Sequence, residues 1–74
     1  MDRSPLTSLE PNEVGIIMEI CGGCRARRRL YELGLNKGTK VRMVKNDIGP
    51  VILNLYGHKL ALGKGLANKI LVEK

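Results

Sequence analysis

Two cysteines bracket a pair of glycines in this chain, Cys21-Gly22-Gly23-Cys24, and theirs is the spacing best suited to chemistry. It fits either a metal-ligand pair or a dithiol couple. A structural zinc site takes about four ligands, and this motif supplies two. There is no further cysteine, and the single histidine, His58, falls at a predicted hairpin tip far along the chain. A complete site would therefore recruit His58, a carboxylate, or the same pair from a second copy. A divalent metal, Zn or Fe, at Cys21 and Cys24 is one expectation, although nothing makes a cofactor obligatory. The dithiol reading calls for a thioredoxin-like parallel sheet, which the strand pattern does not offer. The plain alternative is two reduced thiols with no role, the usual state in a cytosolic chain.

Arg25, Arg27, Arg28 and Arg29 follow directly. If this stretch is the first half of a helix, each positive charge there opposes the helix dipole, at a cost of about 0.3–1 kcal/mol. Folding alone does not ask for four of them. Guanidinium groups beside free helix N–H donors suit carboxylate or phosphate, so one reading is a surface for an acidic partner. The other is a solvated face that keeps a basic protein in solution. His58 reads as a turn residue. Tyr31, near Arg27 and Arg28, is either an exposed contact or a packed aromatic. Gly63-Lys64-Gly65 does not make a phosphate loop, because Gly65 stands where Ser or Thr is required.

Composition narrows the classes further. Seventy-four residues make one small domain with a small core. Thirteen Lys and Arg against seven Asp and Glu give a formal charge of +6, which permits an acidic partner without choosing one. One His and seven carboxylates leave little from which to build a multi-residue catalytic cleft, so an enzyme is not expected. No apolar run approaches the roughly 20 residues of a membrane helix. The opening Met1-Asp2-Arg3-Ser4-Pro5 has no apolar signal-peptide core behind it. A cytoplasmic location is the expectation.

The elements that must position these residues are short. Residues 1–12 read as an ordered lead-in in which Leu6 and Leu9 pack inward and Pro5 and Pro11 exclude regular helix. Residues 13–20 alternate with period two, which predicts a strand with Val14, Ile16, Met18 and Ile20 on the core face. From Cys24 to Leu33 the period changes. Ala26, Leu30 and Leu33 form one helical stripe, and Gly34 stands where a left-handed C-cap is needed, with Leu35 placed to touch the last turn. Three more strands are predicted over 39–45, 51–56 and 59–62, with Val41, Met43, Val51, Leu53, Leu55, Leu60 and Leu62 inward. Gly57-His58 is read as the two-residue hairpin turn. One helical turn over 63–68 and a last strand over 69–73, with Ile70 and Val72 inward, complete the chain. Five short strands with one apolar face would leave two bare edges, and curling into a barrel removes most of that problem. The expected fold is mainly β, one domain over 1–74: a small SH3-like barrel of about five strands with one inserted α-helix.

Leu30-Tyr31-Glu32-Leu33-Gly34-Leu35-Asn36-Lys37-Gly38-Thr39 resembles the signature of the ferrous iron transport protein A (FeoA) family. Arg29-Leu30, Leu33-Gly34-Leu35 and Gly38-Thr39 match it, and Lys37 stands where Pro is usual. The lead-in Leu6, Leu9 and Pro11-Asn12-Glu13 and the tail Gly49-Pro50, Gly57, Ala61-Leu62, Ala67 and Ile70-Leu71-Val72 are similar to the family as well. The resemblance implies an SH3-like barrel that serves a ferrous iron transporter from the cytosol. Its partner there is FeoB, a membrane permease with a cytosolic GTP-binding domain. The same barrel also ends metal-dependent transcriptional regulators, but this chain has no helix-turn-helix. The leading expectation is a non-enzymatic module that binds and modulates the FeoB-type permease through Arg25, Arg28, Arg29 and Lys37. Two other readings stay open. One is a metal sensor or chaperone built on Cys21 and Cys24, alone or as a homo-oligomer. The other is a nucleic-acid-binding barrel, disfavoured because only Tyr31 and Tyr56 could stack on bases.

Overall fold

Most strands of this chain have one apolar face, and those faces meet in a single core. The computed structural model describes residues 3–74; Met1 and Asp2, the start of the lead-in, lie outside the described residues. In chain order the elements are β1 (Ser4–Pro5), a short 3-10 helix (Leu6–Ser8), β2 (Val14–Ile20), α1 (Cys24–Glu32), β3 (Lys40–Lys45), β4 (Val51–Leu55), β5 (His58–Leu62), the one-turn α2 (Lys64–Ala67) and β6 (Ile70–Glu73). The strands form one antiparallel sheet in the order β1-β6-β2-β3-β4-β5. Residues spread across that order, from Val72 in β6 through Ile17 in β2 to Leu62 in β5, share one buried cluster with Leu6, Leu9, Leu30 and Leu35. The sheet therefore wraps around its core as an SH3-like barrel. Its sixth strand, β1, is a two-residue edge within the predicted lead-in, too short to show a period. No helix among the described residues is long and apolar enough to cross a membrane.

The alternation predicted for β3, β4 and β6 matches the buried positions Val41, Met43, Val51, Leu53, Leu55, Ile70 and Val72. β2 differs. Gly15 and Ile17 face the core, while Ile16 is 44% exposed and Val14 and Met18 are half-buried. The pairing explains the change of phase. Ile17 sits opposite Val72 and Glu19 opposite Leu71, so Met18 is an extra residue in the ladder. That bulge re-aims the strand, and both Ile17 and Ile20 reach the core. Gly15 is inward because the packing needs a missing side chain. A Cβ there would lie 3.1 Å from Val72 Cβ and 3.3 Å from Leu9 Cδ1.

The β4–β5 hairpin also differs by one residue. Leu55 pairs with His58, so the turn is Tyr56-Gly57, with φ of 51° and 82°. Two successive positive φ values make a type I′ turn, whose twist matches the flanking strands. The Asn54 side chain supports it by accepting a hydrogen bond from Gly57 N–H at 3.2 Å.

Candidate functional site

Helix α1 is held at its C-terminal end and open at its N-terminal end. Gly34 has φ +89°, its N–H donates to Tyr31 O at 2.9 Å, and Leu35 N–H reaches back to Leu30 O at 2.9 Å. This is the Schellman closure that the Leu33-Gly34-Leu35 sequence predicts, and it carries the fully buried Leu35 into the core beside Leu30. At the other end the N-cap is Gly23, with no side-chain cap and no acidic residue in the first turn.

The 100° step of an α-helix then distributes the charges. Leu30 is buried and Ala26 and Leu33 are half-buried on the core side; Arg25, Arg27, Arg28 and Arg29 are all exposed. Arg27 and Tyr31 share one flank, Arg25 and Arg29 the other, and Arg28 rides on the outer side. None of the four has an ion-pair partner among the described residues.

The Arg27–Tyr31 flank overlooks a groove of about 580 Å³ against the end of β2. Its apolar part comes from Met18, Ile20 and Tyr31, and its cations are Arg27, Lys37 and Arg3. Arg3 is partly neutralised by Glu19, 3.4 Å away. Asn36 lines the same groove, and its side-chain oxygen is buried with no hydrogen-bond partner among the described residues. A buried acceptor left unpaired is costly. The groove thus presents apolar contact and free positive charge together.

Of the residues singled out in the sequence, Lys37 lies in this groove, and Arg25 and Arg28 line a separate depression of about 150 Å³ with Cys24. Arg29 is on the flank away from Lys37. Arg27, Met18, Ile20, Asn36, Arg3 and Glu19 also line the groove, and none of them was in the docking set expected from the sequence. The four-residue spacing of Arg27 and Tyr31 was the available signal for one of them; nothing local marks Asn36. Cys21 and Cys24 are free, exposed thiols. His58 opens β5, and among the described residues no group of three His, Cys, Asp or Glu is arranged to hold a metal. Tyr56 lines another shallow site of about 320 Å³ on the β2–β3–β4 face, so the two tyrosines do not build one stacking platform.

Comparison with known proteins places this architecture. A family model described as the FeoA domain matches residues 4–74. A Methanocaldococcus jannaschii protein provisionally named Fe(2+) transport protein A is 42% identical over 69 residues, covering 93% of this chain and 84% of that one. A crystal structure of an iron uptake regulatory protein, FeoA, superposes with a TM-score of 0.90 at 34% identity, covering 99% of this chain and 97% of the other. A manganese-dependent transcriptional repressor bound to manganese shares the fold with a TM-score of 0.91 at 17% identity; the likeness covers 99% of this chain and 37% of the repressor. With its signature residues, its barrel and a family match that runs to its last residue, the chain belongs to the FeoA domain family.

Proposed function

We propose that this protein is a non-enzymatic, cytoplasmic accessory of ferrous iron uptake that binds the FeoB-type permease and modulates it. Family membership and a relative named for Fe(2+) transport support the setting. Iron is the cargo of such a system and need not be held by this chain. The observation that carries the docking reading is the groove between α1 and β2. Met18, Ile20 and Tyr31 offer apolar contact to a partner segment, while Arg27 and Lys37 select acidic side chains within it. Arg25, Arg28 and Arg29 extend the positive field beyond the groove, which steers encounter more than it sets affinity.

The experiment is a titration of the chain with the purified cytosolic region of the permease. Wild type is compared with Arg27→Glu/Lys37→Glu and with Arg25→Glu/Arg28→Glu. All four side chains are exposed, so folding is not at stake. The groove pair abolishes binding, and the outer pair slows association. Unchanged affinity in the groove variant contradicts the reading.

A further inference from the structure

We propose that Cys21 and Cys24 together bind one Cu(I) ion per chain as a two-coordinate bis-thiolate site. This is independent of the docking reading above. It rests on the placement of the two thiols, on the ligand count and on the charge around them.

The loop that carries the thiols is anchored at both ends and open between. Cys21 follows the last residue of β2, and its N–H donates to Lys69 O at 2.6 Å. Cys24 is the first residue of α1, whose start is fixed by Arg27 N–H donating to Gly23 O at 3.1 Å. Between them Gly22 turns the chain with φ +107°, and nothing lies within 4 Å of the position a Gly23 Cβ would take. Both thiols are exposed and unpaired on this one turn. Neither side chain is used by the core.

The ligand count then chooses the ion. No third His, Cys, Asp or Glu joins the pair among the described residues. Zinc takes about four ligands in a structural site, so one chain cannot complete its shell. Soft thiolates select Cu(I), and Cu(I) is satisfied by two of them. Binding is a ligand exchange with no redox change. Each thiol gives its proton to solvent, each sulfur donates an electron pair to the metal, and Cu(I) sheds the ligands it arrived with. The product carries one net negative charge.

The surroundings favour that product. The N-terminus of α1 has no side-chain cap and no acidic residue in its first turn, so its N–H groups and dipole face an anion. Arg25 and Arg28 line the small depression beside Cys24, and the Lys69 side chain packs where a Gly22 Cβ would reach, 3.1 Å away. A four-thiolate zinc or iron site shared by two copies would press two such cationic ends together, each on a chain of formal charge +6. Charge therefore favours the single-chain site.

The test is an anaerobic titration of the reduced full chain with Cu(I) in the presence of a chromophoric Cu(I) chelator. The chain retains one equivalent against the chelator and releases two protons per ion, without a change in its elution volume. Cys21→Ser and Cys24→Ser each lose the binding while their circular dichroism stays that of wild type. Zn(II) and Fe(II) at equal concentration do not displace the Cu(I). X-ray absorption of the wild-type complex, which needs no variant, shows two sulfur neighbours. Loss of all Cu(I) to the chelator, retention by either single variant, half an equivalent with dimer formation, displacement by Zn(II) or Fe(II), or three or more sulfur neighbours each overturns the proposal.

Discussion

Arg27, on the helix, and Lys37, in the turn that leads to β3, line one groove although a Schellman-capped turn separates them in the chain. Neither has a carboxylate partner among the described residues, so their field faces outward. Exposed charges are screened over about 8 Å at physiological ionic strength. The proposed binding to the permease's cytosolic region is therefore expected to weaken as salt is added, with a flatter slope in Arg27→Glu/Lys37→Glu. Association rates measured over a salt series check this.

Gly15→Ala tests the close approach of β2 to the rest of the core. Its new methyl meets the Val72 side chain at 3.1 and 3.2 Å and Leu9 at 3.3 Å, and both neighbours are fully buried. Overpacking of this kind costs about 1–3 kcal/mol. A lowered urea midpoint with an unchanged slope is the expected result.

Asn46 ties the lead-in to the loop after β3. Its side-chain amide donates to Thr7 O at 2.7 Å and to Leu9 O at 2.8 Å, in a partly buried position. Asn46→Ala leaves both carbonyls without that donor, at a cost of about 1–3 kcal/mol. Amide exchange then quickens first in the segment around Leu6 and Leu9.

Glu13 gives stability a defined pH dependence. The Glu10 backbone N–H, at 2.7 Å, and then Lys74, at 3.1 Å, hold its carboxyl below the usual carboxylate range. A folded-state pKa that is lowered contributes stability present above the unfolded pKa and lost as pH falls through the folded one. Wild type is therefore more stable than Glu13→Gln at neutral pH, and the difference shrinks on acidification below the ordinary carboxylate pKa. Urea midpoints of the two proteins across that range check the sign.

Much of the barrel is legible in the residues because most strands have one apolar face. Val41 and Met43, then Val51, Leu53 and Leu55, leave only one way round. The Leu30-to-Leu35 turn is equally plain, because only glycine takes φ +89° freely before a leucine that must go inward. β2 misleads because Ile16 and Ile17 make both of its faces apolar. The decision falls to a bulge, to Val72, which is distant in the chain, and to Leu9 in the lead-in. The hairpin turn misleads because Tyr56 adopts a positive φ that aromatic residues rarely take. The groove is the least legible part. It joins residues of the lead-in, β2, α1 and the following turn, and the burial of Asn36 Oδ1 has no local signature.

At 8.2 kDa the chain is well suited to solution NMR. The most direct measurement is a titration of the isotope-labelled protein with the permease's cytosolic region, read as amide and side-chain shift changes. The account predicts changes at Met18, Ile20, Arg27, Tyr31, Asn36 and Lys37. Changes centred instead on Lys40, Arg42 and Tyr56, or no changes at saturating partner, would contradict it.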